Sequence, residues 1–154
     1  MKFRYLAVLI LMMAAAAFSE ICAQTVTGSI GNGTVARGRS TRATVVLNIP
    51  GGLHVNSNRP ASEYQIPTTV RPAASGIKIG AVAYPRGRNR KFSFSENTIN
   101  VYEGRVTFGF NVTVPEGFKG NRLSIRVAVK YQACTDEVCY PPKTRQITLT
   151  ARVK

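Results

Sequence analysis

The chain has 154 residues, with 21 Lys and Arg against 7 Asp and Glu and a formal net charge of +14. That length accommodates one domain of ordinary size with a core of its own, plus a removable leader. So strong a basic excess raises the question of a nucleic-acid partner, but most of the positive residues are dispersed along the chain; Arg86-Gly-Arg-Asn-Arg-Lys91 is the cluster.

The first element is a leader. Met1-Lys-Phe-Arg4 is a positively charged start, and Tyr5 to Phe18 is an apolar run closing on Ala14 to Ala17. This is the pattern of a signal peptide over residues 1–23, too short and too alanine-rich to be a membrane span. A cut after Ala23 gives a mature chain from Gln24 to Lys154; a cut after Ser19 is the alternative and would retain Cys22. No lipid anchor is expected at Cys22, because Ser19, Glu20 and Ile21 do not form a lipoprotein box. Removing Lys2, Arg4 and Glu20 leaves 19 basic and 6 acidic residues, a net of +13. Export directs the protein away from nucleic acid, to the periplasm or the medium, and no other apolar run is long enough to cross a bilayer.

Gln24 to Gly38, rich in Gly, Thr and Asn, reads as an arm or edge segment with one short strand at most. Arg42 to Ile49 then alternates, with Ala43, Val45, Leu47 and Ile49 on one side, and Pro50-Gly51-Gly52 stops it. Leu53 to Asn56 restarts the strand. Tyr64 to Arg71, interrupted by Pro67, suits a sheet edge, and Ile77 to Tyr84 is a further strand ended by Pro85. The basic cluster follows; a solvated loop is the plain reading, a docking patch for acidic partners or anionic headgroups the other.

Phe92 and Phe94 alternate with serines, and Thr98 to Tyr102 runs to a turn at Glu103-Gly104. Arg105 to Val114 is the clearest strand, with Val106, Phe108, Phe110, Val112 and Val114 on one face, and Pro115 to Gly120 is turn chemistry. Leu123, Ile125, Val127, Val129 and Tyr131 alternate strictly with polar or small residues, and a last strand carries Ile147, Leu149, Ala151 and Val153. Seven to nine short strands without a helical period predict an all-β antiparallel sandwich.

The chemistry is concentrated in Tyr131-Gln-Ala-Cys134-Thr-Asp-Glu-Val-Cys139-Tyr-Pro-Pro142. Five residues apart on an extended strand, the two cysteines would be roughly 17 Å from each other, so a bond between them requires a turn at Thr135 to Val138. Asp136 is a suitable turn residue, and Pro141 and Pro142 exclude a helix just downstream. So small a loop gains little from closure, about 2 kcal/mol in the loop-entropy model, which makes the bond a weak staple. A structural hairpin disulfide and a reversible redox pair both remain open. Metal binding is disfavoured by a single histidine, His54, and the absence of a second cysteine pair, and no cofactor is expected. If the strand parity of Tyr131 continues, Cys134 falls on the solvent side, where a reactive cysteine is expected.

Together with Gly52-Leu-His-Val-Asn-Ser-Asn-Arg-Pro60 and Val101-Tyr-Glu-Gly104, that segment resembles the N-terminal periplasmic domain of the DsbD thiol:disulfide interchange protein. The resemblance implies an immunoglobulin-like β-sandwich in which Cys134 and Cys139 are the redox pair, Cys139 forming mixed disulfides with partners and Cys134 resolving them. It implies a cap over the pair in residues 92–97, with Phe92 or Phe94 as the shielding ring, and places Tyr131 and Tyr140 around the site. His54 and Asn56 stand where family members can have tyrosines, and a lone histidine is more often structural. The cysteine loop is one residue shorter than in the family's best-known form.

The implied partners are thioredoxin-like redox proteins supplied by a separate membrane electron-transfer hub, and periplasmic clients with disulfides; the chain carries neither hub nor thioredoxin-like domain of its own. Lys130, Lys143 and Arg145 would favour a thiolate and Asp136 and Glu137 oppose it. The competing reading is a non-catalytic basic secreted binding module with the disulfide as a passive clip. A hydrolase is more distant, since no Ser/His/Asp constellation stands out.

Overall fold

The computed structural model describes residues 24–93 and 95–154. The expected leader over 1–23, with its expected cleavage site, and Phe94 lie outside the described residues. Every regular element among those described is a strand.

Three four-stranded sheets build the molecule. The first has β1 (Thr25–Ile30), β3 (Ser40–Asn48), β9 (Arg105–Thr113) and β6 (Lys78–Ile79) in that spatial order. The second runs β2 (Thr34–Val35), β12 (Lys143–Val153), β10 (Arg122–Tyr131) and β5 (Thr69–Ala73). A third, smaller sheet orders β11 (Ala133–Cys134), β4 (His54–Asn56), β8 (Ile99–Tyr102) and β7 (Arg88–Arg90). All pairings are antiparallel except β12 with β2. The fold is an all-β, immunoglobulin-like sandwich.

Alternation explains the core. Val45 and Leu47 of β3, Phe108, Phe110 and Val112 of β9, and Leu123, Ile125, Val127, Val129 and Tyr131 of β10 all project into one apolar cluster, with Leu149, Ala151 and Val153 of β12. In each strand these are every second residue, so one face of each ladder is withdrawn from water and the other left in it. Full burial of each such side chain is worth about 1.5–3 kcal/mol. Phe108 sits among aromatic edges, 5.5 Å from the ring of Tyr84 and 5.9 Å from that of Tyr102. Gly28 of β1 has no room for a side chain, since a Cβ there would meet the Thr44 carbonyl of neighbouring β3 and come within 2.9 Å of Leu149 in β12 of the second sheet.

Strand ends depart from the sequence pattern where tertiary pairing overrides it. The Gly-rich arm holds two strands rather than one, β1 at the rim of the first sheet and β2 beside β12. Among the described residues twelve strands replace the expected seven to nine, because five pieces of two or three residues find partners in the sheets. Of the expected strand 77–84, only Lys78–Ile79 is regular; Gly80 and Ala83 still donate to the Asn111 and Gly109 carbonyls, but the ladder is broken between them. The edge piece predicted at 64–71 begins at Thr69 and continues through Pro72. Its outward Val70 amide donates to the Tyr84 hydroxyl at 2.8 Å. The basic cluster contains an exposed edge strand, β7, rather than being loop throughout, because Arg88 to Arg90 pair with Ile99 to Val101.

The third sheet lies at the end of the sandwich where β3 and β10 finish and β9 begins. Ile49 donates to the Gly104 carbonyl at 2.8 Å, closing that end. The cysteines are therefore carried on an extension of the most regular strand. Phe108→Ala is expected to lower unfolding stability by about 3–5 kcal/mol, read from the denaturant midpoint, because the side chain is fully buried and its loss leaves a cavity.

Candidate functional site

After Tyr131 the backbone leaves the second sheet, and Ala133 and Cys134 pair with Val55 and His54 of β4. The chain then reverses. Ala133 accepts from the Tyr140 amide at 2.8 Å and the Thr135 amide donates to Val138 at 2.8 Å, which leaves Cys134 and Cys139 directly opposite each other between these bonded pairs. Such non-hydrogen-bonded positions bring side chains closest in an antiparallel ladder. The two cysteines are joined, with Cα atoms 4.0 Å apart. The turn is bonded by Thr135 rather than by the Asp136 side chain: its Oγ1 accepts from the Glu137 and Val138 amides at 3.2 and 3.0 Å.

The two sulfur-bearing residues differ sharply in access. Cys139 is exposed, whereas Cys134 is 1 % exposed. Burial of Cys134 corrects the expectation that it faces solvent. Parity does hold through the bend, since Ala133 joins the main core with Tyr131; but the opposite side of the strand is covered rather than open. On that side His54 of β4 lies opposite Cys134, and the ring of Phe92 stacks on His54 at 4.2 Å with an interplanar angle of 19°.

Phe92 is anchored from several sides. It is buried with Ile99 and Val101 in a small apolar cluster separate from the main core. The Arg90 guanidinium lies over its ring, 5.8 Å from the centroid, and is itself paired with Glu103 at 2.7 Å. Thus one residue of the basic cluster holds the aromatic ring that stacks on His54, a contact that charge counting could not reveal.

A cavity of about 830 Å³ opens on this side, lined by His54, Asn56, Tyr64, Gln65, Ile99 and both cysteines, among others. Asn56 is fixed there, its Nδ2 donating to the Ile66 carbonyl at 3.2 Å while its own carbonyl accepts from the Thr68 hydroxyl at 2.6 Å. Tyr64 is 88 % exposed at the rim. Tyr131 and Tyr140 belong to the other side of the hairpin, where they line a second cavity of about 400 Å³ with Leu53 and Lys143. Tyr131 is fully buried in the core, its hydroxyl without a partner, and Tyr140 is half exposed.

His54 is the site residue that the sequence pattern undervalued. A lone histidine in an apolar strand gives no local signal; its position opposite Cys134 depends on β11 joining β4, a pairing between segments about eighty residues apart. Burial pushes its pKa below the ordinary 6.5, against the opposing pull of Asp136 and Glu103 and with a smaller push from Arg90.

Known proteins place this geometry. Residues 31–151 match the family described as the N-terminal part of the thiol:disulfide interchange protein DsbD. The chain belongs to that family. Thiol-disulfide interchange is the family's chemistry, and here the chain carries a joined cysteine pair of which Cys139 is exposed. Among solved structures, the N-terminal periplasmic domain of ScsB from Proteus mirabilis aligns with a TM-score of 0.53 at 10 % identity, over 86 % of this chain and 47 % of that one. A type I cohesin-dockerin complex from Clostridium thermocellum aligns at a TM-score of 0.42 and 6 % identity, over 88 % of this chain and 99 % of that one. The chain thus spans about half the length of the ScsB domain, with which it shares the fold. No curated protein matches the sequence.

Because His54 resists protonation in the folded state and takes a proton normally once unfolded, the unfolded chain binds more protons below pH 6.5. Folding stability should therefore fall as pH drops below 6.5 and level off below the lowered folded pKa. Urea midpoints across this range should show the loss in the native protein, and His54→Phe should remove that component.

Proposed function

We propose that this protein is an exported thiol-disulfide exchange domain, with residues 1–23 as its cleaved leader, that relays electrons in the periplasm from a thioredoxin-like donor to disulfide-containing clients. The observation that carries this reading is the asymmetry of the pair: Cys139 is open to a macromolecular partner and Cys134 is covered. Exchange proceeds by in-line attack of a thiolate on one sulfur, so access selects which sulfur is attacked.

In the reducing half of the cycle a donor thiolate attacks Cys139 Sγ, the Cys134–Cys139 bond breaks, and Cys134 leaves as a thiolate. The donor's second thiolate then attacks the donor sulfur of the mixed disulfide, freeing Cys139 and leaving the donor oxidised. In the second half the Cys139 thiolate attacks a client disulfide, expelling one client thiolate, and Cys134 attacks Cys139 Sγ to expel the other. Two electrons pass from donor to client and the domain returns to its disulfide form. Phe92 shields the resting bond, and the donor is supplied by a membrane hub on a separate protein.

Two outcomes test this. Cys134→Ser should accumulate mixed disulfides through Cys139 that mass spectrometry identifies, while Cys139→Ser should trap far fewer; equal trapping by both would remove the assigned roles. If the purified domain's disulfide stays oxidised in the presence of a reduced thioredoxin-like donor, the relay itself is refuted. Phe92→Ala removes a stacking contact worth about 0.5–1.5 kcal/mol, so reduction of the bond by a small thiol should accelerate roughly two- to tenfold in a stopped-flow assay.

A further inference from the structure

Resolution of a mixed disulfide on Cys139 poses a proton problem. Cys134 must then be a thiolate, yet it is a covered residue, and a thiol taken out of water ionises less readily than a free one. Charge from the hairpin does not help, because Asp136 and Glu137 lie in the turn between the two cysteines. No helix exists among the described residues to lend its N-terminus. Something else has to take the proton.

His54 is placed for that. As direct cross-strand partners, His54 and Cys134 have Cβ atoms about 4.5–5.5 Å apart on the same face of the sheet. Both line the same cavity together with Cys139. Stacking on Phe92 fixes the plane of the imidazole, and neither of its nitrogens hydrogen-bonds to a described residue. A structural histidine of this degree of burial would be expected to spend a ring nitrogen on a backbone or side-chain partner.

We infer that His54 is the general base of the resolving step, accepting the proton of the Cys134 thiol as its sulfur attacks Cys139. The inference rests on the exchange reading given above. In bonds, the Cys134 S–H breaks and an imidazole N–H forms; the Cys134–Cys139 bond forms as the bond from Cys139 to the client sulfur breaks. The client leaves as a thiolate, and the imidazolium returns its proton to that thiolate or to water. When a donor instead attacks Cys139, the imidazole is neutral, and the departing Cys134 thiolate takes its proton from water.

The charges around the ring suit a base that is neutral at rest and cationic in passing. Asp136 from the hairpin and Glu103 from the β8–β9 turn favour the imidazolium, Arg90 of β7 opposes it, and burial keeps the ring neutral at pH 7. The base is thus available at neutral pH and is lost as pH falls through a value below 6.5. An unassisted thiol of pKa about 8.5 is only about 3 % ionised at pH 7, so assistance can accelerate resolution by up to roughly 30-fold, and more where burial raises the thiol further.

The test uses the reduced full-length mature protein mixed with an aromatic disulfide that releases a coloured thiol. The first equivalent reports attack by Cys139 and the second reports resolution by Cys134. For the native protein, the second phase should be flat around neutral pH and fall below pH 6.5; in His54→Gln it should be about tenfold slower at pH 7 and rise in proportion to hydroxide throughout. A native second phase proportional to hydroxide over the whole range overturns the role of His54 without reference to any variant's folding. So does a His54→Gln profile that keeps the plateau. Absence of any second phase in the native protein overturns the exchange reading, and this inference with it.

Discussion

The site depends on one backbone decision, the departure of the chain from the second sheet after Tyr131. Up to that residue β10 is committed to the core on one face and to β12 and β5 along its edges. Two residues later the same strand direction is continued in another sheet, against β4. The step preserves side-chain parity, so Ala133 stays with the core and Cys134 turns to the opposite side, where the third sheet meets it. A disulfide carried in this way is braced through backbone hydrogen bonds on the buried cysteine and left to solvent on the other.

That arrangement ties chemistry to packing. The third sheet has little core of its own, a cluster of Phe92, Ile99 and Val101, and is held largely by short ladders and by the ion pair of Arg90 with Glu103. An exposed pair of that kind contributes little in water and is screened by salt. A sheet with so few buried apolar contacts belongs to the less stable end of a fold, while the sandwich beneath has a continuous apolar interior.

Much of this was legible from residues. The alternation in Arg105 to Val114 and Leu123 to Tyr131 identified the strands that build the core, and the turn at Thr135 to Val138 followed from the reach of the chain between two cysteines. What stayed hidden was set by pairings between distant segments. The covered state of Cys134, the meeting of His54 with it, and the attachment of Arg90 to Phe92 all arise from a sheet whose strands are two to four residues long, too short to leave a periodic signature. The ragged edge at residues 78–83 was missed for a related reason, since apolar residues there continue after the ladder breaks.

The outer side of β5 has a consequence for life at high local concentration. Of its two interior positions that direct their nitrogen outward, Val70 gives its amide to Tyr84, and Pro72 has no hydrogen to give. A foreign strand approaching this rim would find neither donor available, so the open flank of the second sheet is a poor template for recruitment of further copies. Crowding can then bring copies of the chain together along this flank without adding strands to the second sheet.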